Sequence, residues 1–358
     1  MNSFKKVLSV VLALMMILSL SACGKKEEAA PAPAEPAAPA EDEAPVEETS
    51  DFTIALVIGV GGLGDGSFND TLKEGCDMAK EAFGLADYQI IEPKEVAEFE
   101  GHFTDLSASG EYDLIVAGGF DAIEAMGKVA KEFPEQKYLF VDGEVPDCEN
   151  VTSVTYRDNE KAYCLGIVAA METETNKLGI ITALDIDSLR VFSSGFIAGA
   201  QSVNPDIEIS VKVVGGFADT TTAKELAIAL KDEGCDILYV MAGGSGLGAF
   251  AAAEEQGDLK IFGVDTNQCL IGPDVCAISG MRLMQNTIKN NVGFAIDGTI
   301  QAGHHSEGFV EDALDYTVEG SNIPVSDEAL AAADAAREAI IAGEIEVPST
   351  YEEIGFEF

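Results

Sequence analysis

The 358-residue chain has no tryptophan, three histidines, and 21 lysines and arginines against 63 aspartates and glutamates. A formal charge of −42 leaves no basic footprint for nucleic acid or an anionic lipid surface, so neither is expected as a partner. The same deficit disfavours a strongly anionic ligand. With only His102, His304 and His305, and no Gly-x-Ser-x-Gly elbow ahead of one of them, there is little material for serine–histidine hydrolysis. Carboxylate-only hydrolysis is the enzymatic class that remains. The His304-His305 pair is expected in a solvated surface loop. Past residue 20 no stretch approaches eighteen apolar residues, so the body is expected to be soluble. Cysteines 76, 148, 164, 235, 269 and 276 lack metal-site spacing, and no metal or cofactor is expected. Cys269 and Cys276 are close enough in sequence to leave a disulfide open.

What the chain does have begins at its start. Lys5 and Lys6, an apolar run from Val7 to Leu20 and then Leu20-Ser-Ala-Cys23 describe a secretory signal over residues 1–22. The last four residues resemble a bacterial lipobox, which implies lipidation at Cys23 and attachment to the extracytoplasmic face of the membrane. Each buried CH₂ of an acyl chain contributes about 0.8 kcal/mol, so several chains anchor a protein without a spanning helix. Residues 23–51, rich in Ala, Pro and Glu, cannot bury enough surface to offset ordering entropy and are expected to form a disordered tether.

The body is organised around Thr53–Phe83. A strand without polar alternation, Thr53–Ile58, feeds a glycine-rich loop that carries Asp65, Phe68 and Asn69, and then a helix with Thr71 and Glu74 spaced as a capping box. Gly59, Gly61 and Gly64 fit the dinucleotide pattern, but the helix is expected to open about six residues after the third glycine rather than at it. Strands and helices then alternate as βαβ units, and near residue 158 the alternation restarts. The expectation is two α/β lobes with parallel, doubly wound sheets. Lobe one takes 52–157 plus 267–303, and lobe two takes 158–266 plus 304–358, with connections near 157, 267 and 304. In such sheets ligands sit beyond the carboxyl ends of the strands. Those ends offer Phe120, Asp121, Glu124 and Asp142 in lobe one, and Asp185, Asp187, Arg190, Phe192, Phe217, Asp219 and Asp265 in lobe two. Aspartates beside aromatics suit a neutral, partly aromatic, polyhydroxy ligand.

Gly-Asp-Gly-Ser-Phe-Asn69, Val129-Ala-Lys-Glu-Phe-Pro134, Gly195-Phe-Ile-Ala-Gly199, Gly216-Phe-Ala-Asp219, Gly243-Gly-Ser-Gly-Leu-Gly248 and Gly263-Val-Asp265 together resemble the basic membrane protein family. These are lipid-anchored, purine-nucleoside-binding receptors of the PnrA-like group that serve ATP-driven importers. The resemblance implies the type I periplasmic-binding-protein fold with three crossovers, no enzymatic activity, and a monomer that hands guanosine, inosine or adenosine to an ABC permease. It also implies roles. Asp65, Phe68 and Asn69 line the first lobe, and Phe192 and Phe217 lie near the base. Gly244 and Gly246 lend backbone donors, and Asp265 takes the ribose hydroxyls. The family's base-facing aspartate falls on Glu124 or Asp121, and its lysine on Arg282. The rival readings are a sugar or autoinducer receptor of the same fold, or an extracellular nucleoside hydrolase using Asp65 or Asp265.

Overall fold

Apolar runs become buried strands in two separate sheets. The computed structural model describes residues 50–60, 62–64 and 68–357; the signal, Cys23, most of the tether and Asp65 lie outside these described residues. The first set of strands is β1 (Ile54–Val57), β2 (Gln89–Ile91), β3 (Leu114–Gly118), β4 (Lys137–Val141) and β5 (Val151–Tyr156). The second is β6 (Lys177–Thr182), β7 (Glu208–Val213), β8 (Ile237–Met241), β9 (Lys260–Gly263) and β10 (Cys276–Arg282), followed by β11 (Gly303–Glu307) and β12 (Leu314–Thr317). The sheet orders are β11-β5-β4-β3-β1-β2 and β12-β10-β9-β8-β6-β7. Apart from β12, which runs antiparallel to β10, all pairings are parallel. Most inner strands are apolar because helices cover both faces, with β5 (Val-Thr-Ser-Val-Thr-Tyr) the exception.

Helices α1 (Phe68–Phe83), α2 (Phe99–Ser109) and α3 (Ile123–Glu132) belong to the first sheet. They are followed by α4 (Asp158–Glu172), α5 (Asp187–Val203), α6 (Thr220–Asp232) and α7 (Leu247–Gln256) around the second. The later helices are α8 (Met284–Ile296), α9 (Asp327–Ile341) and the single turn α10 (Tyr351–Ile354). Helix α8 returns to lobe one and packs on α1, where a Cβ on Gly75 would fall 2.7 Å from the Ile288 side chain. Helices α4 and α5 approach until backbone meets backbone. A Cβ on Gly166 would lie 2.1 Å from the Phe196 carbonyl oxygen, and one on Gly199 2.0 Å from that of Tyr163. The Gly195–Gly199 pattern therefore belongs to helix packing.

Four expectations change. The strand after residue 267 does not return to lobe one, because β10 pairs with β9 and closes the second sheet. Residues 303–307 do not start lobe two's last segment; they form the edge strand β11 on β5 of lobe one. The crossovers accordingly fall at 156–158, 282–284 and 307–309. His304 and His305 ride on that edge strand rather than in a loop, with His304 Nε2 2.7 Å from Thr155 Oγ1. Finally, α1 starts at Phe68, which places Thr71 inside its first turn instead of at the cap. No helix among the described residues is long and apolar enough to cross a membrane.

Candidate functional site

The carboxyl ends of both sheets face one another across a cavity of about 1650 Å³. On the lobe-one wall, Phe68 opens α1 with its ring laid over Gly118 and Gly119, where any Cβ would meet it at 3.2 and 3.5 Å. Asn69 holds the glycine loop. Its Oδ1 accepts from Gly59 N at 2.8 Å, and its Nδ2 donates to the Gly62 carbonyl at 3.0 Å. The amide expected to greet a ligand thus shapes the loop from within, while still lining the cavity. Asp121 also lines it, its carboxyl raised above the usual range by burial although the Val60 backbone opposes this. Glu124, one turn further on, is exposed and turned away from the cavity, so Asp121 is the carboxylate at this wall.

The lobe-two wall carries Phe217. Ser245 fixes its turn: the Ser245 backbone N donates to the Phe217 carbonyl at 2.9 Å, and its hydroxyl donates to the Gly216 carbonyl at 2.8 Å. Gly243 lies under the Phe217 ring and reaches the cavity, whereas Gly244 and Gly246 do not. The glycine loop therefore seats an aromatic rather than presenting those two residues to the cavity. Phe217 meets Phe120 of the opposite lobe, ring centroids 6.2 Å apart, although Phe120 is 68 % exposed.

The floor is ionic. Arg282, at the end of β10, grips Asp158 with two bonds, Nε to Oδ1 at 2.8 Å and Nη2 to Oδ2 at 2.6 Å. Its Nη1 lies 3.1 Å from Asp142 Oδ1 and its Nε 3.8 Å from Asp265 Oδ1. Lys161, fully buried one turn into α4, pairs with Asp158 as well. The Arg282 guanidinium stands 5.0 Å over the Phe192 ring and 5.4 Å over that of Tyr156, with Lys161 Nζ 4.7 Å over Phe192. Phe192 is 3 % exposed, and its place is beneath these cations. Burial works to raise Asp158, but Arg282 and Lys161 outweigh it and hold the carboxyl below its ordinary range. Burial pushes Asp142 up to about 6, against the pull of Arg282 and with the repulsion of Asp158 and Asp265 added. Three carboxylates thus surround two cations, which leaves a surplus of negative charge facing the cavity.

Asp265 adopts φ 66°, a left-handed conformation that costs a non-glycine residue energy. It lines the cavity with its side chain 30 % exposed, and its Oδ1 accepts no hydrogen bond among the described residues. A carboxylate at a strand end with one buried oxygen that no described residue hydrogen-bonds suits a ligand rich in donors. Of the expected residues, Phe68, Asn69, Asp121, Phe192, Phe217, Asp265 and Arg282 converge on the cavity. Asp185 and Arg190 pair with each other on the surface instead. Sequence reasoning missed Asp158, because an acid in a helix's first turn reads as a dipole partner, and Lys161, because a lone lysine in a helix reads as solvated. Their i,i+3 spacing directly after a strand end was the available signal. No group of residues suited to hold a metal occurs among the described residues.

Residues 52–351 match the family described as ABC transporter substrate-binding protein PnrA-like. The chain is 32 % identical to the ABC transporter nucleoside-binding protein BmpA of Lactococcus lactis, over 62 % of this chain and 66 % of that one. It is 28 % identical to a lipoprotein of Pyrococcus abyssi, over 75 % and 70 %. Among solved structures, a solute-binding protein of an ABC transporter system from Aeropyrum pernix superposes with a TM-score of 0.73 at 27 % identity, covering 84 % of this chain and 95 % of the other. The superposition shows that the two-lobed α/β fold is shared, and the chain belongs to the PnrA-like family of ABC transporter substrate-binding proteins.

Proposed function

We propose that this substrate-binding protein captures purine nucleosides and presents them, as a lipid-anchored monomer, to an ABC permease. The observation that carries the reading is Asp265: a carboxylate at a strained strand end, open to the cleft, with an oxygen that no described residue hydrogen-bonds. Its two oxygens match the vicinal hydroxyls of a ribose, each charge-assisted bond contributing roughly 1.5–3 kcal/mol. Phe68, Phe120 and Phe217 supply the aromatic surface for a base, in a chain without tryptophan. The negative surplus on the floor works against phosphorylated ligands.

Calorimetry with guanosine, 2′-deoxyguanosine, guanine and GMP tests the reading. The wild type should rank guanosine first and GMP last, and Asp265→Ala should lose at least about tenfold in guanosine affinity. Equal affinity for ribo- and deoxynucleosides defeats the ribose assignment. Anchoring rests on Leu20–Cys23 and on the lipoprotein among the relatives. Cys23→Ser should move the protein from the membrane to the soluble fraction; retention on the membrane refutes the lipid anchor.

A further inference from the structure

The two lobes place an aspartate at equivalent points. β4 and β9 are each flanked by the corresponding neighbours, β3 and β5 in one sheet and β8 and β10 in the other. Each is followed within two residues by an aspartate with left-handed backbone, Asp142 at φ 61° and Asp265 at φ 66°. Both side chains line the cavity and keep about the same open surface, 31 % and 30 %. Both approach the same guanidinium, Asp142 at Nη1 and Asp265 at Nε. Arg282 does not exhaust either of them, since its two short bonds go to Asp158. Aspartate enters the left-handed region more readily than most residues, but its recurrence at symmetric strand ends of one cleft, with both side chains lining it, points to use.

We infer that Asp142 is a second ligand-contacting, specificity-determining carboxylate, accepting a hydrogen bond from the 5′-hydroxyl of the nucleoside whose ribose diol Asp265 holds. The inference rests on the nucleoside reading above. Because both carboxylates border one guanidinium, the ligand portion between them is a single small ring, and the aromatic side chains lie on the walls above. With the diol on Asp265, the remaining donor of a ribose is its 5′-hydroxyl. A 5′-phosphate placed there would face the Asp142 carboxylate across the cleft with like charge, which makes Asp142 the residue that discriminates nucleosides from nucleotides.

The test is a ligand-by-variant comparison on the full chain. Guanosine, 5′-deoxyguanosine, 2′-deoxyguanosine and GMP are titrated into the wild type, Asp142→Asn and Asp265→Asn, with the melting temperature of each recorded. Asparagine tolerates the left-handed region, and Asp142→Gly, which tolerates it without a side chain, serves as a second variant. Asp142→Asn should weaken guanosine about tenfold while leaving 5′-deoxyguanosine within about twofold of the wild type, and should narrow the gap between guanosine and GMP. Asp265→Asn should narrow the gap to 2′-deoxyguanosine instead. Uniform weakening of all four ligands by both Asp142 variants, with a lowered melting temperature, assigns Asp142 a structural role and overturns the inference. So does a guanosine affinity that neither variant changes. A wild type that binds no nucleoside defeats the nucleoside reading and this inference with it, whereas wild-type binding with no 5′ preference defeats the inference alone.

Discussion

Two arginines knot the crossovers together, and their surroundings differ in one respect. Arg157, at the first crossover and itself lining the cavity, bonds Glu160 at 2.5 Å, Glu311 at 2.6 Å and the Ser306 carbonyl. The carboxylates around it also take backbone donors: the second oxygen of Glu160 takes Phe309 N at 2.8 Å, and the Glu311 oxygen that meets Arg157 takes Gly308 N at 2.7 Å. Arg282, at the second crossover, sits 11 % exposed among Asp142, Asp158 and Asp265, and among the described residues only Asp158 of these three is engaged at both oxygens. Charge and burial alone would rank both clusters as sites. What separates them is the main chain: both glutamates at Arg157 accept from backbone N–H groups, whereas Asp265 at Arg282 has a buried oxygen that no described residue hydrogen-bonds.

The sharpest way to break this comparison is Asp158→Ala. It strips the engaged partner from two buried cations and should cost about 3–5 kcal/mol, seen as a large shift of the denaturation midpoint. A loss no bigger than that of a surface pair would show that the floor is not held as described. Arg157→Ala should do much less. It is partly exposed and its glutamates keep backbone partners, so about 1 kcal/mol of stability should go, with guanosine affinity unchanged in the same calorimetric assay. A Kd that rises with Arg157→Ala would make that cluster, too, part of the ligand's binding surface.

The smallest effect is one of pH. Asp142 titrates near 6 in the folded chain, above the ordinary carboxylate value of an unfolded one. Between those values the folded state binds the extra proton, so the Asp142 contribution to stability rises as pH falls from 7 to 5. Asp158 runs the other way: its depressed carboxyl contributes stability above the unfolded value and loses it as pH falls through the folded one. Asp142→Asn should therefore flatten the stability profile between pH 7 and 5 and leave the acid limb in place, as melting temperatures across that range would register. An unaltered slope would show that burial does not raise the Asp142 carboxyl.

The strands that build both sheets were legible because a parallel strand buried on two faces has to be apolar throughout, as Leu114–Gly118 and Ile237–Met241 are. Gly303–Glu307 was not legible. An edge strand reading Gly-His-His-Ser-Glu carries neither run nor alternation, and its pairing with β5 comes from tertiary contact. The return of the chain to lobe one was misplaced for the same reason, since nothing local in Cys276–Arg282 says which sheet it joins. Within the site, the strand-end residues were found from local pattern and Arg282 through the family resemblance, while the charges of the first turn of α4 were not. Asp158 meets Arg282 across 124 residues. Gly244 and Gly246 were visible as a motif, but their work on the Phe217 turn depends on Ser245 reaching back 29 residues to the Gly216 carbonyl.

Phe120 and Phe217 touch at the lips while the floor remains open-handed, and this sets the time course of capture. An aromatic pair of that kind contributes about 0.5–1.5 kcal/mol, so thermal motion parts it readily and it forms a shallow gate. Entry then proceeds at a rate set by encounter rather than by opening. Residence time falls to the carboxylates below, so ligands that differ at the ribose should separate in how slowly they leave rather than in how quickly they arrive.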